Sequence, residues 1–236
     1  MQKFLLFIPI GFFLLHWNNC AAQQIKNSRV DSIVATLKID DSDDPADIAM
    51  DITRPFKTDS EKVRAIYYWV TENIAYDYKL LGNGFPIMYG DPDRYYDFMI
   101  TRTLQKKMGV CSQYAMLFAE LCKQAGITCA VIEGWGLSTP NNVLRILVED
   151  VSNHAWNAVR VNGQWYLMDL TWASGNKAFR KKRIKGARND FYYMTKPELF
   201  VLTHHPENKY WQLLDTPLNM WHFIGNTRKK RSERGV

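Results

Sequence analysis

Asn162-Gly163 sits between two apolar-rich runs, NHAWNAVRV and QWYLMDL, and constrains the chain more than any other feature. Asn-Gly flanked by alternating apolar residues is the strongest short-range signal for a two-residue β-hairpin. In that turn Val161 pairs with Gln164. Counting outward, Trp156 falls opposite Asp169 and His154 opposite Thr171. His154 and Asp169 then lie diagonally on one face, roughly 7–8 Å apart at the backbone and closer at Cβ. A bulged turn would shift the register by one residue and send Asp169 to the other face. Asp169 lies among Leu167, Met168 and Leu170, a context that a charged group avoids without a partner. A carboxylate so placed orients an imidazole and stabilises its charged form.

A nucleophile for that pair stands upstream. Cys111 follows Gly109-Val110 and opens an amphipathic helix expected from Cys111 to Ala125, with Gly126 as its stop. The first amides of a helix lack intrahelical acceptors and carry partial positive charge, which favours thiolate over thiol. The same amides can hold the oxyanion of a tetrahedral intermediate. A buried structural cysteine fits Cys111 equally well on position alone. His154 and Asp169 tip the balance toward chemistry.

The remaining elements set the fold class. Val30, Ile33, Val34 and Leu37 recur at helical spacing, so a helix is expected over Asn27–Lys38. The acidic stretch Asp40–Asp47 with Pro45 reads as a loop. Thr58 and Glu61 form a capping box for a helix whose apolar face is Val63, Ile66, Tyr67, Val70 and Ile74. Residues 81–94 read as a loop, followed by helix around Leu104. Strands are expected at Thr128–Ile132, on either side of Asn162-Gly163, and at Phe191–Met194. Pro197 opens a short helix that HHPE ends in an exposed turn. Helices first and strands afterwards point to an α+β fold.

Composition and charge narrow the setting. After Lys3, residues Phe4–Leu15 are almost wholly apolar, then HWNN precedes Cys20, Ala21 and Ala22. This is the order of a secretory signal peptide. Residues 1–22 are therefore read as a removed signal segment, with export to the periplasm or medium. Lipid attachment at Cys20 ranks lower, because Trp17-Asn18-Asn19 is bulky and polar where small residues are needed. No later stretch is apolar enough to span a bilayer. The net charge of +6 is concentrated in Arg180–Arg188 and in Arg228–Arg234. Such runs are usually solvated, and otherwise would attract anionic envelope components. No zinc-finger spacing or aromatic RNA-binding motif is present, so nucleic acid is not an expected partner. Cys111, Cys122 and Cys129 remain after cleavage, an odd number that leaves at least one free thiol. There is no CxxC pair to suggest structural zinc.

The blocks GVCSQYAMLFAELCKQAGI and NHAWNAVRVNGQWYLMDLTW resemble the Cys and His…Asp blocks of the transglutaminase-like superfamily. YYWVTENIAYD also fits, and FYYMTKPELFVLTHHPENKYWQLLDTP is similar to the segment after the core in kyphoscoliosis-peptidase-type bacterial members. The likeness runs from about Ser60 to Pro217. It implies a papain-like core, with the cysteine on a central helix packed against an antiparallel sheet carrying His and Asp. It implies Cys111 as nucleophile, His154 as general base and acid, and Asp169 as orienter. Tyr76 is the candidate aromatic donor to the oxyanion, and Trp156 and Trp172 are candidates for core or cleft wall around the hairpin. The chain divides into the signal segment 1–22, a helical extension 23–58, a catalytic domain 59–220 and a basic tail 221–236.

The expected reaction is acyl transfer from a protein or peptide amide through a thioester, with no cofactor and no metal. Hydrolysis is favoured over amine crosslinking, since no amine site or calcium loop is visible. An acetyltransferase fits less well, because KKMGV replaces the arginine- and glycine-rich lead into its cysteine. Two rivals remain: a non-catalytic envelope-assembly module keeping the fold, and a metal-dependent enzyme resting on His204 and His205.

Overall fold

A computed structural model describes residues 27–39, 42–83, 91–137, 151–175 and 188–225. The signal segment 1–22, the basic residues Arg180–Lys185 and the basic run Arg228–Arg234 lie outside the described residues.

The helical half comes first. Helix α1 covers residues 27–36 and buries Val30 and Val34. Helix α2, Pro45–Thr53, stands where the acidic stretch reads as loop. The correction has a simple cause: Asp44 accepts from the Ala46 amide at 2.8 Å, and Pro45 occupies the first turn, where it loses no hydrogen bond. Acid and proline together are a helix start here, and Ile48 and Ile52 pack into the core with Phe118 and Leu121. Helix α3, Asp59–Asn73, begins with the expected box: the Thr58 amide donates to Glu61 Oε2 at 3.2 Å and the Glu61 amide to Thr58 Oγ1 at 3.3 Å. Strand β1 (Ala75–Tyr76), helix α4 (Tyr78–Asn83), helix α5 (Pro92–Lys106) and strand β2 (Met108–Gly109) lead to helix α6, Cys111–Gln124. β1 and β2 pair in parallel, with Tyr76 opposite Gly109. Gly126 at φ 76° ends the turn after α6.

The sheet follows. Its strands are β3 (Cys129–Gly136), β4 (His154–Val161), β5 (Gln164–Met168) and β6 (His204–Pro206), in the order β5-β4-β3-β6 and all antiparallel. Asn162 and Gly163 have φ 51° and 82°, the two positive values that a type I′ turn requires. Pairing runs from Val161–Gln164 to Asn157–Met168, in the expected register. It stops there. Asp169 becomes the N-cap of helix α7, Leu170–Ser174, so Thr171 is helical and not opposite His154.

One sheet face carries Val159, Val161 and Met168 and packs on α3 and α6. The other face carries Trp156, Ala158 and Leu167 and is covered by Phe200 and Trp211 from the C-terminal segment. Within that segment Asp190–Tyr192 is a 3-10 turn, with a single bridge from Thr195 to Leu167, rather than a strand over Phe191–Met194. Met194 at φ 49° breaks the extended backbone that β-rich composition alone suggested. Helix α8, Pro197–Phe200, is short as expected, but HHP is strand β6, not an exposed turn. Among the described residues no helix is long and apolar enough to cross a membrane.

Candidate active site

Cys111 is the first residue of α6. Val110 is extended and cannot cap with its side chain, so Gln113 reaches back and accepts from the Val110 amide at 3.2 Å. The Gln113 amide group donates to Thr103 Oγ1 at 2.8 Å, which ties this helix end to α5. The first intrahelical bond is from the Tyr114 amide to the Val110 carbonyl, leaving the Cys111, Ser112 and Gln113 amides beyond the ladder. A Cβ on Gly109 would sit 2.9 Å from Gln113 Cβ, so the glycine lets β2 pass close to the helix start.

Asn157 locks helix to sheet. It is fully buried, and its side-chain amide donates to the Ala115 carbonyl at 3.0 Å and the Ala130 carbonyl at 3.2 Å. The helix that carries Cys111 is thereby fixed against the strand that carries His154.

His154 opens β4, and its Nε2 lies 2.8 Å from Asp169 Oδ2. Asp169 is completely buried, and its Oδ1 accepts from the Trp172 amide at 3.0 Å. The hairpin brings these side chains together as its register requires, although Asp169 arrives as a helix cap one residue beyond the ladder.

The three groups shift one another's protonation. Burial alone would raise the Cys111 thiol, but hydrogen bonding and charge from His154, helped by the Ala155 amide, bring it below its ordinary 9.0. Burial would lower His154, yet the Asp169 carboxylate, with a smaller contribution from Cys111, pushes the imidazole up to about 10. Asp169 is driven well below the ordinary carboxylate range: burial opposes this, and His154 and then His204 outweigh it. Lowered thiol and raised imidazole together favour a thiolate–imidazolium pair over the neutral pair.

His204 is the residue that sequence reading misplaced. It is 1% exposed, and its Nε2 lies 3.0 Å from the same Asp169 Oδ2 that His154 reaches. His205 points to the opposite face of β6, as alternate strand residues must, and its Nε2 lies 3.2 Å from the Leu218 carbonyl. The two neighbours therefore cannot share one metal ion. Ligand atoms of His154, Asp169 and His204 do lie within 4.8 Å of one another, the one such group among the described residues. The two hydrogen bonds to Asp169 Oδ2 already account for that closeness.

Two glycines make the cluster possible. Gly134 and Gly136 of β3 share its face with Ile132. A Cβ on Gly136 would meet His154 Cβ and Cδ2 at 3.0 Å, and one on Gly134 would strike the His205 carbonyl and Trp156. The EGWG pattern was the available signal: alternating glycines inside a strand mark a close approach by something else.

The aromatic candidates divide. Trp172 is half-buried, with its ring 5.1 Å from the His154 ring and 4.4 Å from the His204 ring. Trp156 is 1% exposed and packs with Ile132 and Phe200, so it floors the cluster and is not a cleft wall. Tyr76 is half-buried beside Gly109. Its phenol is raised first by burial and then by charge at Cys111, so it remains a proton-bearing donor near the thiol. Cys122 and Cys129 are free thiols. Burial, then its neighbour Cys129, pushes Cys122 up, the opposite of Cys111.

Residues 46–170 match the family model of the Transglutaminase-like superfamily, more than half of the chain. The chain belongs to the transglutaminase-like superfamily. An α+β core, with cysteine at the start of a helix packed on an antiparallel sheet, is the papain-like arrangement of that family. The chain is 33% identical to human Kyphoscoliosis peptidase over 188 residues, which is 78% of this chain and 26% of the relative. It is 27% identical to Hillarin of Drosophila melanogaster, over 82% of this chain and 24% of that one. This transglutaminase-like chain thus spans about a quarter of the length of those curated relatives. A crystal structure of a TGase superposes with a TM-score of 0.38 at 14% identity, covering 77% of this chain and 43% of the other.

Proposed function

We propose that this chain is a thiol acyl-transfer enzyme acting on protein or peptide amides, with Cys111 as nucleophile, His154 as base and acid, and Asp169 as orienter. The observation that carries the reading is His154 held between a thiol and a buried carboxylate, with the thiol's affinity for its proton lowered. The Cys111 sulfur attacks the amide carbonyl. The tetrahedral oxyanion takes hydrogen bonds from the amides at the start of α6 and from the Tyr76 hydroxyl. His154 passes its proton to the leaving amine, the C–N bond breaks and a thioester remains. Water, deprotonated by His154, then attacks the thioester carbon, releasing the acid and restoring the thiol. A primary amine in place of water gives a new amide instead.

Hydrolysis is the favoured outcome. Its support is that a relative of this sequence is named a peptidase. Export belongs to the same proposal, from the n-, h- and c-region order of residues 1–22. The basic runs would then meet anionic envelope components.

Wild type and Cys111→Ala, compared on a peptide library with and without a labelled primary amine, test the reading. Cleavage that requires Cys111 is the expected result. Amine incorporation exceeding cleavage would replace hydrolysis by crosslinking, and neither product from any peptide would favour an assembly module. N-terminal sequencing of protein recovered from cells should begin after Ala22.

A further inference from the structure

Asp169 and His204 come from opposite edges of the sheet: Asp169 directly follows β5, and His204 opens β6. β4 and β3 lie between those edges, and β3 presents Gly134 and Gly136 there, where a Cβ would press on Trp156 and His154. The His204 ring is otherwise enclosed by apolar partners. Phe200 stacks on it at 4.0 Å, Trp156 meets it edge-on at 5.0 Å, and Trp172 leans on it at 4.4 Å. A phenylalanine would fill that box and avoid the cost of burying a polar ring. What an imidazole adds is two polar contacts, Asp169 Oδ2 at Nε2 and Thr203 Oγ1 at Nδ1, the latter at 2.9 Å.

Those contacts fix the tautomer. An ionised carboxylate only accepts, so Nε2 carries the proton. Nδ1 of the neutral ring then accepts from the Thr203 hydroxyl. Burial lowers His204, which keeps the ring neutral at physiological pH. Oδ2 of Asp169 therefore receives two imidazole N–H groups, and Oδ1 receives the Trp172 amide.

We propose that His204 is a positioning residue that fixes the Asp169 carboxylate and shares its charge, so that His154 is oriented without being held so tightly that it cannot release its proton. This rests on the reading of Cys111, His154 and Asp169 as the reacting groups. The titratable groups facing Asp169 are His154 from β4, His204 from β6, Cys111 from α6, Tyr76 from β1 and Tyr192 from the 3-10 turn. Both tyrosines are raised chiefly by burial and stay neutral over the range that matters. Among the described residues only His204 donates to Asp169 in competition with His154 through a side chain.

The test needs no substrate. The rate of Cys111 alkylation by iodoacetamide is followed against pH in the full chain, and its alkaline midpoint reports loss of the His154 proton. In His204→Phe the carboxylate faces His154 without its second imidazole donor, so the midpoint should rise by about one pH unit, a tenfold change. His204→Gln places an amide N–H where Nε2 was and should restore the wild-type midpoint. A midpoint that stays or falls in His204→Phe, or a Gln variant displaced as far as Phe, overturns the proposal. Should His204→Phe not fold, ¹⁵N-histidine NMR of the wild type decides: His204 must hold its proton on Nε2 and remain neutral while His154 titrates. A proton on Nδ1 or titration of His204 alongside His154 overturns it. His154→Ala separates the two claims. If it leaves Cys111 alkylation unchanged, the catalytic reading fails. If it slows alkylation while the His204 variants match wild type, only the role of His204 fails.

Discussion

At the residue scale, the proposed chemistry depends on where one proton sits. In the unfolded chain His154 would release its proton near 6.5 and Cys111 near 9.0. In the folded chain the order is inverted, with the thiol low and the imidazole at about 10. Cys111, lowered on folding, contributes stability that is fully present above 9.0 and is lost as pH falls through its folded value. His154, raised on folding, contributes stability that is fully present below 6.5 and is lost as pH rises through about 10. Above 9.0 the folded state retains a proton that the unfolded state has lost, and stability falls as pH passes about 10. Cys111→Ser removes the thiolate and leaves His154 with a raised value from Asp169. Its contribution is then fully present below 6.5 and declines from there upward. Between pH 6.5 and 9.0 the two contributions oppose each other in wild type, so thermal stability should fall less steeply with pH there than in Cys111→Ser. Replacing His154 by Ala should slow turnover roughly 10²–10⁴-fold, the usual contribution of a general base, with the unfolding midpoint moving far less.

At the element scale, positions outside the proposed triad hold its members in place. Asn157 is the clearest case. Asn157→Leu leaves the Ala115 and Ala130 carbonyls without their donor and should cost about 1–3 kcal/mol. Denaturant unfolding measures it, and Cys111 alkylation should slow as α6 shifts on the sheet. Gly134 and Gly136 should behave differently from each other. Alanine at 134 meets backbone and should cost about 1–3 kcal/mol as overpacking does. Alanine at 136 meets the His154 side chain at 3.0 Å and should slow alkylation with little loss of stability. Sequence reading was strongest at this scale where a local rule acts alone. Asn162-Gly163 fixed the hairpin register, and Thr58 with Glu61 fixed the start of α3. It went wrong at α2, where Asp44 and Pro45 serve as a helix start and were read as a loop. It also went wrong at β6, because what makes His204-His205-Pro206 a strand is pairing with Gly134–Gly136, about 70 positions upstream. No local pattern reports such a partner.

At the scale of the whole molecule, a buried ionic network ties the N-terminal helix to the segment that covers the sheet. Arg64 on α3 is 2% exposed, donating to Asp31 of α1 at 2.7 and 2.6 Å and to Asp190 at 2.7 Å. Arg188 joins it through Asp31 and Asp190, each at 2.6 Å, and stacks over Tyr68 at 4.7 Å. The last cation of the basic run Arg180–Arg188 is thus held inside the protein. Its sequence neighbours suggested a solvated run, since nothing local reveals acids 157 and 126 positions away from Arg188 and Arg64. Arg64→Leu leaves Asp31 and Asp190 ion-paired only with Arg188 among the described residues and should destabilise by about 1–3 kcal/mol, less than removing the sole partner of a buried charge would. Chemical denaturation gives that number, and a midpoint within experimental error of wild type would mean that the network does not brace the fold.

The most direct measurement of the central claim is iodoacetamide alkylation at about pH 6, resolved by residue with mass spectrometry, in wild type and His154→Ala. Cys129, also half-buried, is the internal comparison. A thiolate–imidazolium pair predicts that Cys111 reacts much faster than Cys129 in wild type and that the advantage disappears in His154→Ala. Equal slow rates for Cys111 and Cys129, or an advantage that survives loss of His154, would contradict it.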